Sequence, residues 1–148
     1  MIEKNLIMKL KEINQKVFSI MQKKFDEYQL TLGLIYLLTL IINRPNTTQK
    51  ELAKEMRLTE GAMSISIKKL IELNMVEQIQ SPIDGRCNIL VITEKGKGVV
   101  KEYEAYLNQI IKAVFKGFHL DELTKASEFL NKISSNLDGI LIDLSKPN

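Results

Sequence analysis

One imidazole and one thiol, His119 and Cys87, stand alone in a chain of 148 residues. A single histidine leaves no cluster for a zinc or iron site. Catalysis of the Cys-His or Ser-His kind would have to recruit that one ring. No phosphate-cradling glycine loop is present either. The sequence therefore reads as that of a protein that is not an enzyme, with no metal and no cofactor. One cysteine also excludes an internal disulfide framework and fits a reducing compartment. The chemistry left is that of recognition. Lys68 and Lys69 are adjacent, and Asp84-Gly85-Arg86 places a cation beside a turn. Such side chains can meet phosphates.

The elements that would position these groups come from an ordinary globular composition. Apolar residues make up 45% and charged residues 26%, with 7 Gly and 3 Pro, which excludes collagen-like, mucin-like and broadly disordered chains. The length suits one domain that buries roughly 70% of its unfolded surface without a staple. A net charge of +3 permits contact with a polyanion without requiring it. Residues 47–97 carry 8 basic and 7 acidic side chains, so the placement of charges matters more than their sum. The start, Met1 to Asn5, lacks the apolar core of a signal peptide. The most apolar run, Leu30 to Ile42, is shorter than the roughly 20 residues that span a bilayer, so it reads as a buried helix. A cytoplasmic protein without a membrane partner is expected.

Apolar residues at Ile2, Leu6, Leu10, Ile13, Val17, Ile20 or Met21 and Phe25 recur in steps of mostly three and four, giving an amphipathic helix of about six turns. A second helix covers 31–42, capped by Thr31 and stopped before Pro45. Thr48-Gln49-Lys50-Glu51 has the spacing of a capping box and opens a short helix to Met56. Thr59 caps the next helix, 60–73, and Asn74 must end it in the left-handed conformation. Two β-branched runs, 76–81 and 87–93, flank Pro82-Ile83-Asp84-Gly85-Arg86 as a hairpin. Thr93 caps a long helix through Phe115, and a last helix follows His119.

Helix, turn, helix and hairpin in that order make a winged helix-turn-helix, in which one helix braces another whose outer face enters the major groove. On a wheel of residues 60–73, Met63, Ile67, Leu70 and Ile71 face inward. Gly61, Ala62, Ile65, Lys68, Lys69 and Glu72 face outward, with Ser64 and Ser66 on the flanks. Small residues near the start admit close approach to base edges, and the lysines reach phosphates. An ordinary amphipathic surface helix would show the same pattern.

The stretch Leu58-Thr59-Glu60-Gly61-Ala62-Met63-Ser64-Ile65-Ser66-Ile67-Lys68-Lys69-Leu70, followed by Leu73-Asn74-Met75-Val76-Glu77, resembles the recognition helix and first wing strand of MarR-family transcriptional regulators. Asp84-Gly85-Arg86 and Ile89 to Gly96 are similar to that family's wing and the start of its next helix. The motifs cover roughly residues 45–98, and helix order and length extend the likeness to the whole chain. The resemblance implies a mainly α fold of six helices with a small β-hairpin wing. In it, residues 31–97 form the DNA-binding region, and 1–30 and 98–148 supply dimerisation helices. It implies a homodimeric repressor on a pseudo-palindromic operator, contacting double-stranded DNA through Thr48, Gln49, Gly61, Ala62, Ser64, Ile65, Ser66, Lys68, Lys69, Asp84 and Arg86. Arg86, held by Asp84, would enter the minor groove. A small-molecule effector that relieves repression also belongs to that picture, with no ligand-binding residue assigned here. Two positions depart from the family pattern: Ile65 stands where arginine is frequent, and Asn74 where glycine is usual. The family's peroxide sensors carry a cysteine in the first helical region, and its zinc sensors are histidine-rich. Residues 1–75 here contain no cysteine.

A second reading keeps the winged helix as a protein-interaction module without DNA contact. Lys68, Lys69 and the Asp84/Arg86 pair favour DNA over it. Binding of RNA or single strands usually uses aromatic stacking platforms. All nine aromatic residues lie outside 47–97.

Overall fold

The computed structural model describes residues 1–147, with six helices and one two-stranded sheet in the order α1 (Ile2–Tyr28), α2 (Leu32–Asn43), α3 (Gln49–Glu55), α4 (Glu60–Glu72), β1 (Val76–Gln80), β2 (Asn88–Ile92), α5 (Glu94–Val114) and α6 (Leu120–Leu144). The chain divides into two compact units, Met1–Tyr106 and the segment from Leu107 onward.

The core of the first unit is built around α2. Ile35, Leu37, Leu38, Leu40 and Ile41 are buried there, with Phe25 of α1, Leu52 and Ala53 of α3, and Met63, Ile67 and Leu70 of α4. Met21, Leu30, Met75, Val76, Ile89, Leu90 and Val100 complete it. The starts of α2, α3, α4 and α5 are each fixed by a threonine hydroxyl. Thr31 accepts the N–H of Leu34, Thr48 that of Glu51, Thr59 that of Ala62, and Thr93 that of Gly96, at 3.0 to 3.3 Å. Glu51 returns a bond to the Thr48 N–H and closes the expected capping box. Such caps satisfy N–H groups that the first helical turn leaves open.

Helix ends are equally defined. At α4 the Met75 N–H donates to the Leu70 carbonyl at 3.0 Å and the Asn74 N–H to that of Ile71 at 2.9 Å, with Asn74 at φ 58°. This is the six-to-one and five-to-two pairing of a Schellman ending. Gln29 (φ 58°) and Arg57 (φ 53°) end α1 and α3 with the same pair of bonds. The sequence pattern singles out only Asn74, because glutamine and arginine rarely adopt that conformation.

The hairpin is antiparallel, with Val76 opposite Ile92 and Gln80 opposite Asn88. Along its other edge, β2 meets the start of α3 through a bridge between Thr48 and Ile89. This ties the wing to the helix that braces α4. At the start of α5, Gly96 is buried, and a Cβ there would collide with the Met75 carbonyl oxygen and lie 2.7 Å from Ile92 Cγ1.

Helix α1 meets the first part of α5 through an aromatic and charged cluster. The Phe25 and Tyr103 rings stand 5.8 Å apart. Lys24 pairs with Glu27 at 2.9 Å and Glu102 at 3.2 Å, and its ammonium lies 5.4 Å from the ring centres of both Tyr28 and Tyr106. The hydrogen bonds to Glu27 and Glu102 push the Lys24 pKa up, and the bond from Lys24 holds Glu102 below the usual carboxylate value.

Only Met21 and Phe25 of α1 are buried, so Leu6, Ile13, Val17 and Phe18 remain exposed. In the second unit, Gly117 (φ 85°) precedes α6, whose start is capped by a bond from the His119 N–H to Glu122 at 2.8 Å. None of the α6 residues is buried, and Leu130, Leu137, Ile140, Leu141 and Leu144 are exposed. No single helix among the described residues is long and apolar enough to cross a membrane.

Candidate nucleic-acid interface

Helix α4 divides cleanly between packing and presentation. Met63, Ile67 and Leu70 are buried on one side. Gly61, Ser64, Ile65, Lys68 and Glu72 are exposed on the other. Ala62, Ser66 and Lys69 form a half-buried flank between the two. The expected inward position of Ile71 needs correcting: it is 38% exposed. At 100° per residue it lies about 80° round the helix from Met63, at the margin of the packed stripe.

Around Gly61 there is open space, with nothing within 4 Å of where a Cβ would lie. A Cβ at that exposed position would therefore meet no part of the fold. Ile65, four residues on, is 74% exposed. Neither Lys68 nor Lys69 is engaged in an ion pair among the described residues. Thr48 and Gln49 are half-buried at the start of α3, and the Thr48 hydroxyl is committed to its cap.

The wing is shaped by side chains that bond to backbone. Ser81 Oγ accepts the N–H groups of Ile83 and Asp84, each at 3.2 Å. The Arg86 N–H donates to Asp84 Oδ1 at 3.1 Å, and the Cys87 N–H to the Asp84 carbonyl at 3.0 Å. Asp84 thus holds the backbone of Arg86. No ion pair joins its carboxylate to the guanidinium, which is unpaired among the described residues. Cys87 is exposed, with its sulfur 3.8 Å from Asp84 Oδ2. Ile83, 84% exposed at the wing tip, is not among the residues the sequence pattern singles out. Its only signal is an apolar residue inside a turn-forming stretch. No group of three or more His, Cys, Asp or Glu side chains able to hold a metal occurs among the described residues.

A braced helix with an open outer face, followed by a hairpin tied to its brace, defines a winged helix-turn-helix. Residues 28–86 match the model of the MarR family. The HTH-type transcriptional regulator BilQ of Clostridium symbiosum is 26% identical over 112 residues, which are 76% of this chain and 78% of that protein. A MarR protein from Peptoclostridium difficile has a similar solved structure, with a TM-score of 0.69 at 25% identity over 95% of this chain and 92% of its own. Streptococcus pneumoniae FabT, solved in complex with DNA, shares the fold with a TM-score of 0.77 at 18% identity, over 93% of this chain and 98% of its own.

Proposed function

We propose that this chain is a cytoplasmic DNA-binding transcriptional regulator, a repressor that binds a pseudo-palindromic operator as a homodimer, and that it has no catalytic activity. The observation that carries the reading is the outer face of α4. Gly61, Ser64, Ile65 and Lys68 are exposed there while the opposite side is locked into the core. Residues 60–69 would enter the major groove, with Thr48 and Gln49 at the start of the bracing helix beside the backbone. Arg86, held out on the wing by the Asp84 turn, would supply a cation to the minor groove. BilQ is named as a transcriptional regulator, and FabT is solved on DNA, which supports the same use of this scaffold.

The exposed apolar stripes of α1 and α6 support a division of labour in which 1–30 and 98–148 dimerise and 31–97 reads DNA. Stripes of that extent on a lone soluble chain ordinarily mark an association surface. The test is binding to the duplex flanking the protein's own gene, with and without excess nonspecific competitor. Retention in competitor is expected. Loss of all binding at equal competitor would instead favour a protein-interaction module.

A further inference from the structure

We propose that Ile65 is a specificity-determining residue that reads the methyl group of a thymine in each half-site. The proposal rests on the DNA-binding reading above and deepens it. Its basis is what the outer face of α4 contains and what it lacks. Over Glu60–Glu72 there is no arginine, asparagine or glutamine. Arginine reads guanine edges and asparagine or glutamine reads adenine edges by bidentate bonds, which leaves lysine as the helix's one type of side chain able to meet a guanine in that way. Lys68 and Lys69 sit beyond the middle of the helix, Ser64 and Ser66 are short and accept either partner, and Gly61 and Ala62 offer no hydrogen-bonding side chain. Ile65 is the one large side chain at the centre of this face, and it is 74% exposed.

Its surroundings let it approach a base closely. The open space at Gly61 removes one turn's worth of side chain beside it. The backbone of α4 is fixed from below by Met63 and Ile67, both buried, so Ile65 is carried on a rigid support. In the major groove a branched apolar side chain has one complementary feature, the thymine C5-methyl group. Contact between the two removes both from water, and deletion of a single methyl is worth about a four-fold change in affinity. Because each protomer of a two-fold dimer presents one Ile65, the effect should appear once in each half-site.

The experiment selects operators from a randomised duplex library with the full chain. It then replaces each thymine of the selected site, one at a time, by uracil, which lacks only the methyl. Wild type should lose about four-fold per half-site at one symmetric position and little elsewhere. Ile65→Ala should bind the thymine and uracil duplexes equally, and Ile65→Val should keep most of the discrimination. Both variants should retain the salt-sensitive binding to unselected DNA. Uracil-tolerant wild-type binding at every position of an enriched operator would overturn the role of Ile65 and leave the DNA-binding reading standing. Failure of the wild type to enrich any sequence would overturn both.

Discussion

The carboxylate of Asp84 accepts the backbone N–H of Arg86 at 3.1 Å, and no ion pair joins it to the Arg86 guanidinium. The acid therefore shapes the turn, and the cation stays available to a partner. Arg86→Ala should weaken operator binding and reduce the dependence of log affinity on log salt by about one per protomer. Asp84→Ala should weaken it less, by loosening the turn. Asp84→Asn, which keeps an acceptor oxygen, should bind no more weakly than wild type. Fluorescence anisotropy across a salt series separates these outcomes. An Asp84→Asn loss as deep as that of Arg86→Ala would show that the carboxylate charge matters.

Gly96 marks where α5 presses on the strand entry. A Cβ at this position collides with the Met75 carbonyl, a backbone atom with little freedom to yield. Gly96→Ala should therefore cost about 1–3 kcal/mol of stability, the range for overpacking a close contact. Gly98→Ala, where a Cβ meets nothing within 4 Å, serves as its control. Thermal unfolding followed by circular dichroism reads the difference.

These two sites also show which parts of the molecule are legible in sequence. Threonine caps at positions 31, 48, 59 and 93 depend on neighbours within three residues, so local pattern suffices to find them. The hairpin announces itself through Asp84-Gly85 between β-branched runs. The demand for glycine at 96 comes from Met75, 21 positions away in sequence, and leaves no local trace. The same holds for Lys24, whose partner Glu102 is 78 residues distant. At the candidate interface, the wheel separates buried Met63 from exposed Ile65 without difficulty, because 3.6-residue periodicity is strong over three turns. It does not show whether Asp84 grips the guanidinium or the backbone of Arg86. That depends on turn geometry within a three-residue span, which spacing alone does not resolve.

Dimerisation through α1 and α6 predicts a particle of twice the 17.0 kDa chain mass in light scattering. Ile13 and Leu137, both half-exposed, lie on the stripes concerned. Leu137→Glu should shift the particle toward the single-chain mass at micromolar concentration. Operator binding should fall with it, since each half-site would then be bound alone. A wild-type particle of single-chain mass would remove the dimer from the account.

The Lys24–Glu102 bond predicts a pH dependence with a defined sign. Glu102 is held below its ordinary value of 4.5 by its bond from Lys24. A lowered carboxylate contributes stability that is complete above the unfolded value and is lost as pH falls through the folded one. The melting temperature should therefore decline below about pH 4.5, and Glu102→Gln should make that decline shallower. Glu102 is solvent-exposed, which screens the pair, so the difference should be small. A decline of equal slope in the variant would mean that other carboxylates govern acid unfolding.

The open outer face of α4 is tested most directly at Gly61. A Cβ there meets nothing within 4 Å, and the position is exposed. Glycine in the middle of a helix is less stable than alanine by about 0.5–1 kcal/mol, and Gly61, in the first turn of α4, carries a smaller part of that penalty. Gly61→Leu should accordingly melt at the same temperature as wild type or higher. If residues 60–69 enter the major groove, the added side chain occupies space that the DNA needs. The measurement is the affinity of Gly61→Leu for the operator duplex, taken with its melting temperature. The account predicts a loss of about tenfold or more, in the range of a disrupted base contact, with folding intact. An unchanged affinity in a fully folded variant would contradict it.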